Sequence, residues 1–281
     1  MTKQRLLLCT DMDRTIIPNG VHSEHKYARK QFSFFCSHSE VKLVYVTGRH
    51  RELVQQAIKN YALPKPDYAI TDVGTKIYQI ENDQWTIIEK WDQKIDSDWN
   101  GVSHAELNLL FSDISELQLQ EHSKQNTHKL SYYLPLHAEK DIIMSLMEDR
   151  LSNKNIKASL IWSVDEPKSM GLLDVLPQNA TKLHAIRFLQ QYLDYSLDEI
   201  VFAGDSGNDL PVLGSPIHSV LVENASDEVK KAAKDLAEQN GHSDALYFAS
   251  ARYLHMNGNY SAGVLEGVWH FVPGLRHILG K

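Results

Sequence analysis

The residues best suited to chemistry in this chain are Asp11 and Asp13, one residue apart at the end of the apolar run Leu6-Leu7-Leu8-Cys9-Thr10. Such a run reads as a buried strand, and in open α/β sheets ligands sit just beyond the carboxyl ends of the strands. Two carboxylates this close need a cation or donors to offset their charge, so the pair implies either a bound divalent ion or a strongly raised pKa. Both outcomes suit phosphoryl chemistry. Other segments follow the same plan. Val41 to Val46 ends in Thr47-Gly48-Arg49, a hydroxyl followed by a bare backbone N–H, which by itself is also a turn beside a helix N-cap. The strand Glu199-Ile200-Val201-Phe202-Ala203 runs into Gly204-Asp205-Ser206-Gly207-Asn208-Asp209. There Asp205, Asn208 and Asp209 offer oxygens within one turn, as a hard cation such as Mg²⁺ prefers. Lys182 opens a helix, where its charge opposes the helix dipole, a hint that it is placed for an anion. A phosphate needs donors, a metal needs oxygens, and displacement needs an in-line nucleophile; these segments together supply all of them.

The elements that must position these groups alternate. After the strand at Val41 to Val46, apolar residues Leu53, Val54, Ala57, Ile58 and Tyr61 recur at helical spacing until Pro64 and Pro66. Tyr68-Ala69-Ile70 is a further strand, ending at Thr71-Asp72-Val73-Gly74. This alternation implies a parallel sheet with crossover helices. From Lys76 the character changes: Lys76 to Ile80 and Trp85 to Ile88 flank the turn cluster Glu81-Asn82-Asp83-Gln84 and read as a hairpin. A helix at His104 to Phe111, extended chain at Lys129 to Leu134, a helix at Ala138 to Leu151 and extended chain at Ile156 to Val164 make an α+β module. The Asp165-Glu166-Pro167-Lys168 turn bounds it. Alternation resumes with a strand at Leu172 to Leu176, a helix at Thr181 to Leu193, the strand before Gly204, a strand at Ser219 to Val222, and helices at Asp227 to Leu236 and Val264 to Phe271. The expected fold is therefore α/β, a Rossmann-like core with a parallel sheet formed by residues 1–75 and 171–281, with an inserted α+β cap at residues 76–170.

With 281 residues, 42% hydrophobic and 23% charged, the chain has material for one large domain or two smaller ones. A net charge of −7 without a Lys/Arg cluster argues against a dedicated nucleic-acid binder, although an anionic small substrate held by a metal and a few local cations is allowed. Cys9 and Cys36 sit in no metal or redox spacing, which points to inert thiols in a reducing compartment. The N-terminus lacks a signal-peptide core and no stretch approaches the roughly 20 apolar residues of a membrane span, so a cytoplasmic location without membrane contact is expected.

The Asp-x-Asp-x-Thr pattern after an apolar strand resembles the first motif of the haloacid dehalogenase (HAD) superfamily of phosphatases. Tyr45-Val46-Thr47-Gly48-Arg49, Val73-Gly74-Thr75-Lys76-Ile77-Tyr78, Lys129-Leu130-Ser131-Tyr132-Tyr133, Asp174-Val175-Leu176-Pro177-Gln178 and Gly204 to Asp209 narrow the likeness. Over nearly the whole chain they resemble the sucrose-6-phosphate phosphatase family, with a cap of the C2 type. The resemblance implies that Asp11 attacks phosphorus to give an aspartyl-phosphate, while Asp13 protonates the leaving sugar oxygen and later deprotonates water. Thr47 and Lys182 would hold the phosphoryl oxygens. The implied cofactor is Mg²⁺ at Asp11, Asp13 (through its backbone carbonyl) and Asp205, with Asp209 completing the acidic set and Asn208 supporting it. Substrate contacts are expected from Thr15, Gly48, Arg49, Gly74, Thr75, Lys129, Asp174 and Asn208. Two positions depart from the pattern: Arg14 stands where relatives often carry Gly or Asn, and Asp72 where a small neutral residue is common. Trp85, Trp91, Trp99 and Trp162 all fall in the expected cap, where aromatics either stack on sugar or fill a small core.

The implied function is a Mg²⁺-dependent phosphatase acting on sucrose 6-phosphate or a similar phosphorylated disaccharide. The alternatives are a phosphatase for another glycosyl or hexose phosphate, such as mannosylfructose phosphate, and a non-catalytic module partnering a sucrose-phosphate synthase. The intact Asp11, Asp13, Lys182 and Asp205 weigh against the last.

Overall fold

The computed structural model describes residues 5–165, 168–253 and 255–279, so Glu166 and Pro167 of the expected turn lie outside the described residues. The chain forms two compact units, one running up to Ile87 and resuming at Lys182, the other spanning Ile88–Thr181.

The larger unit is built on an eight-stranded sheet in the order β12-β11-β10-β1-β2-β3-β4-β5. Strand β1 (Leu6–Thr10) lies at its centre, paired in parallel with β10 (Ile200–Gly204) and β2 (Val41–Val46). Every residue of β1 is buried, as expected of a central parallel strand covered on both faces. Truncating Leu7 or Leu8 to Ala would cost about 2–5 kcal/mol. Next to β2 lies β3 (Tyr68–Thr71), and on the far side β11 (His218–Leu221) and β12 (Leu246–Phe248) extend the parallel array.

Helix α1 (Ala28–Cys36) buries Phe32 and Phe35 and packs against α9 (Ser261–Phe271). α2 (Arg51–Asn60) buries Val54 and Ala57, and its chain leaves at Tyr61, before the left-handed Ala62 and Pro64. The unit is completed by α6 (Lys182–Tyr192), α7 (Leu210–Leu213), α8 (Asp227–Asn240) and α10 (Arg276–Leu279). No helix among the described residues is long and apolar enough to cross a membrane. Cys9 and Cys36 are free, and burial pushes both thiols up, away from the reactive thiolate.

The smaller unit carries a four-stranded antiparallel sheet, β6 (Gln118–Leu119), β7 (Leu130–Pro135), β9 (Met170–Pro177) and β8 (Ala158–Asp165) in that order. With it come α3 (Glu89–Asp96), α4 (His104–Leu110) and α5 (Lys140–Asn153). Trp99, Phe111, Leu130, Met147 and Leu173 form its core.

The boundaries differ from the expected 75/76 and 170/171 in two places. The hairpin of β4 (Lys76–Glu81) and β5 (Gln84–Ile87) forms as expected, but β4 pairs antiparallel with β3 through Ile70↔Ile77 and extends the large sheet. Conversely, the strand expected at Leu172 to Leu176 is β9, hydrogen-bonded to β7 and β8 in the small sheet. The reason is shared: an apolar run specifies a strand, but its sheet is chosen by partners distant in sequence. Trp85 accordingly packs against the large core, Trp91 is fully buried, and Trp99 is a buried core residue of the smaller unit.

Candidate active site

Asp11 leaves the end of β1 with its backbone N–H donating to the Ala203 carbonyl of β10 at 2.8 Å, which seats the carboxylate between the two strand ends. Lys182, the first residue of α6, is 2% exposed. Its Nζ donates to Asp11 Oδ1 at 2.8 Å, Asp209 Oδ1 at 2.7 Å and Asn208 Oδ1 at 3.3 Å. Burial works against this ammonium, yet the Asp11 and Asp209 carboxylates outweigh it and hold its pKa above the ordinary lysine value.

The Gly204–Asp209 loop is organised by Asp209, which is wholly buried. Its Oδ2 accepts the backbone N–H groups of Asp205 and Ser206, each at 3.1 Å, and the Ser206 hydroxyl at 3.1 Å. Glycine is required at 204 because a Cβ there would lie 2.6 Å from Asp209 Cγ. Asp205, 3% exposed, accepts the Thr15 hydroxyl on Oδ1 at 3.2 Å and meets Arg14 Nε through Oδ2 at 3.1 Å. Burial raises its carboxyl to about 6 against the opposing pull of Arg14.

Carboxylate oxygens of Asp11, Asp205 and Asp209 lie within 4.8 Å of one another. Burial also raises the Asp11 carboxyl, and Lys182 only partly offsets it. Three buried carboxylates face one buried ammonium and one half-exposed guanidinium, an excess of negative charge on oxygen ligands that fits a hard divalent cation. Asp209 brings oxygens already engaged by Lys182 and the backbone, so its main work is to shape the loop.

The Asp13 carboxylate stands apart from this acidic group. Arg49 grips it in a fork, Nε to Oδ2 at 2.7 Å and Nη2 to Oδ1 at 2.6 Å, and Asn19 Nδ2 donates to Oδ1 at 2.7 Å. Burial would raise the Asp13 carboxyl, but Arg49 and Asn19 outweigh it and hold it below the usual carboxylate range. The side chain is therefore not grouped with the acidic cluster, and only the Asp13 backbone carbonyl is left for the metal role expected of this residue.

Asp11, Asp13, Thr47, Gly48, Arg49, Asp205 and Asn208 line a common pocket of about 340 Å³. Thr47 is 1% exposed and its hydroxyl accepts the Arg49 N–H at 3.2 Å. The loop is pinned from behind, with the Asp72 N–H donating to the Arg49 carbonyl at 3.0 Å and the Val73 N–H to the Thr47 carbonyl at 3.2 Å.

Other expected contacts sit elsewhere. Thr15 is wholly buried with its hydroxyl on Asp205, so it orients a carboxylate rather than lining the pocket. Gly74 and Thr75 are buried in the turn behind Thr47, where the Thr75 hydroxyl donates to the Asp72 carbonyl at 3.1 Å. Lys129 and Asp174 belong to the smaller unit, where they pair at 3.5 Å and Asp174 also accepts the Ser131 hydroxyl. Asn19 was not foreseen: Pro18-Asn19-Gly20 signals a turn, but nothing local says that the Asn19 amide reaches Asp13.

Residues 4–272 match the model of the sucrose-6F-phosphate phosphohydrolase family. The chain belongs to that family. It is 48% identical over 274 residues to an HAD-like hydrolase of Nitrosococcus oceani, covering 98% of this chain and 74% of that protein. It is 27% identical to sucrose-phosphatase 1 of Nicotiana tabacum over 96% of this chain, which spans only 60% of the tobacco protein. The sucrose-phosphatase of Synechocystis, solved with sucrose and phosphate, superposes with a TM-score of 0.71 at 25% identity, covering 95% of this chain and 98% of that one. The sucrose-6F-phosphate phosphohydrolase family comprises phosphoric monoester hydrolases with the HAD fold, and the acidic strand ends of this chain have the chemistry that fold positions.

Proposed function

We propose that this chain hydrolyses a sugar phosphate in a Mg²⁺-dependent reaction, with sucrose 6-phosphate as the first candidate substrate. The observation that carries the reading is the buried ammonium of Lys182 between Asp11 and Asp209, beside a pocket that also holds Thr47 and Asp13. Asp11 is the nucleophile: its carboxylate forms a bond to phosphorus as the bond to the leaving sugar oxygen breaks, and Asp13 delivers the proton that oxygen takes up. Water then attacks the aspartyl-phosphate, Asp13 takes its proton, and phosphate leaves with the Asp11 carboxylate restored. Lys182, Thr47 and the Gly48 N–H hold the phosphoryl oxygens. Mg²⁺ held by Asp11, Asp205 and the Asp13 carbonyl, with Asp209 behind them, would supply charge neutralisation at the nucleophile and the phosphoryl group.

Asp13 must be protonated to act as an acid, whereas Arg49 holds it ionised. Both line the pocket of Thr47 and Gly48, so the phosphoryl group offers Arg49 a second anion, and the Arg49 fork moves from Asp13 to substrate. In the smaller unit Lys129 and Asp174 are the proposed sugar contacts. The free thiols Cys9 and Cys36 fit a cytoplasmic location, and a sucrose-phosphate synthase is the candidate protein partner, testable by co-elution.

The deciding experiment is phosphate release from a panel containing sucrose 6-phosphate, mannosylfructose phosphate and hexose 6-phosphates, with Mg²⁺ or with chelator. One dominant Mg²⁺-dependent kcat/KM is expected. Release from no sugar phosphate would overturn the reading in favour of a non-catalytic module.

A further inference from the structure

Each of the two sheets ends in two edge strands, and three of these four edges are short: β12 has three residues, β5 four and β6 two. The fourth, β8, has eight. A long edge strand is a template for pairing with another chain, and proteins usually blunt it with proline, a bulge or charges along its length. None of these devices interrupts β8. Its run Ala158-Ser159-Leu160-Ile161-Trp162-Ser163-Val164 has neither proline nor charge, and it keeps an unbroken one-to-one register with β9 from Ala158↔Pro177 to Asp165↔Met170. Trp162 leans over β9, where a Cβ on Gly171 would come within 1.9 Å of its ring, so the bulkiest side chain of the strand leaves the outer edge clear.

The direction of the backbone groups along this edge follows from one bond. The Gln178 N–H donates to the Lys157 carbonyl at 3.1 Å, which turns Lys157 towards β9. Residues of an antiparallel strand alternate, so the backbone groups of Ser159, Ile161 and Ser163 also face β9, and those of Ala158, Leu160, Trp162 and Val164 face outward. Among the described residues, none of these four makes a backbone hydrogen bond outside the sheet ladder. The edge also presents apolar surface, with Ile161 41% and Val164 45% exposed. Opposite charges bound it: Lys157 is exposed, and Asp165 is half-buried and lies 3.8 Å from Lys168 in its own turn.

We propose that β8 pairs antiparallel with β8 of a second copy of this chain, joining the two four-stranded sheets edge to edge in the register that centres on Ile161. A two-fold axis there sets Ala158 opposite Val164 and Leu160 opposite Trp162 of the second copy. All four are outward-facing residues, so every such pair exchanges two hydrogen bonds and no outward group is left over. The same register sets Ile161 against Ile161, Ser159 against Ser163, and Lys157 against Asp165 at both ends of the ladder. Shifting the strands by two residues keeps the hydrogen bonds in phase but separates Lys157 from Asp165. Charge complementarity therefore selects the register, and apolar cross-strand pairs support it. The pairing stands apart from the proposed reaction, because no reactive residue of the larger unit takes part in it.

Sedimentation velocity of the full chain over a range of concentrations tests the pairing, and the wild type is expected to dimerise reversibly. Ile161→Lys sets two ammonium groups face to face at the axis and should raise the dissociation constant roughly a hundredfold or more. Val164→Pro removes one outward N–H, a change an edge strand tolerates, and should weaken the dimer as well. Lys157→Glu should raise the dissociation constant roughly tenfold, and adding Asp165→Lys to it should restore association. Hydrogen exchange of the wild type needs no variant: the amides of Ala158, Leu160, Trp162 and Val164 should gain protection as concentration rises, while those of Ser159, Ile161 and Ser163 are protected throughout. A wild type that stays monomeric, a dimer that survives Ile161→Lys, or a charge swap that fails to restore association overturns the pairing.

Discussion

Replacing Gly204 by Ala tests the architecture of the acidic loop. The added Cβ would sit 2.6 Å from Asp209 Cγ and Oδ2 and 2.9 Å from Asp209 Cβ. Asp209 cannot give way easily, being 0% exposed, with Oδ2 on two backbone N–H groups and Oδ1 on Lys182 at 2.7 Å. Overpacking costs about 1–3 kcal/mol, and displacing a charged acceptor from its donors adds about 1.5–3 kcal/mol. Reduced unfolded-state entropy returns about 0.4–1 kcal/mol, so a net loss of roughly 2–5 kcal/mol is expected. The chain has two units, and a single unfolding transition need not report the larger one. Hydrogen exchange of the β1 and β10 amides measures that unit directly. The decisive comparison is a double-mutant cycle with Asp209→Ala, in which most of the cost of Gly204→Ala should vanish. If Gly204→Ala leaves exchange and phosphate release at wild-type levels, or costs as much without Asp209 as with it, the account of this loop is wrong.

Further predictions follow from the same geometry. Asp11→Asn should abolish phosphate release while far-UV circular dichroism is retained; substantial turnover would remove Asp11 as nucleophile. Mg²⁺ at a hundred times its Kd should stabilise the larger unit by about 2.7 kcal/mol, and Asp205→Asn should shrink that gain; equal stabilisation of the two proteins would move the metal elsewhere. Lys182→Met breaks a buried pair and should cost about 3–5 kcal/mol, read in the same exchange experiment, because Asp11 and Asp209 lose their counter-ion. In the smaller unit, Trp99→Ala should cost about 3–5 kcal/mol, read by hydrogen exchange of the β7 and β9 amides; a loss under about 1 kcal/mol would mean that Trp99, 1% exposed, is not a core residue of that unit.

The central strands of the large sheet, β1, β2, β3 and β10, were legible because they are continuous apolar runs stopped by polar groups, and β2 has the bounds its sequence predicts, whereas the three-residue edge strand β12 was too short to be read. The acidic set was legible for a related reason: parallel strands deliver their carboxyl ends to one edge, so Asp11, Thr47 and Asp205 had to approach each other once the strands were assigned. What could not be read were choices made across long sequence separations. The partner of β4 is β3, while the partners of β9 are β7 and β8, and no local pattern distinguishes these cases. Asn19 and Asn224 are equally silent, since a carboxamide in a loop has no periodicity to betray its target. The fork of Arg49 on Asp13 was equally illegible, because the sequence shows two groups near an expected phosphate site but not that they pair with each other.

Local preference and tertiary demand conflict at three places around the reactive pair. Arg14, Asp72 and Val73 have φ of 55°, 51° and 61°, and the last is a β-branched residue for which that region is especially unfavourable. Each such residue costs about 1–2 kcal/mol. Their carbonyls and amides nevertheless make the contacts that fix the site: Arg14 is tied to Asn19 and Asn224, Asp72 to Arg49, and Val73 to Thr47. A glycine would relieve the strain at Val73 but widen the choices of the unfolded chain and free the turn behind Thr47. These three strained residues lie on the loops beside Asp13 and Thr47, whereas β1, β2 and β10, which carry Asp11, Thr47 and Asp205 at their ends, contain no left-handed residue, so the sheet supplies the regular support and the loops the exact placement of the reactive groups.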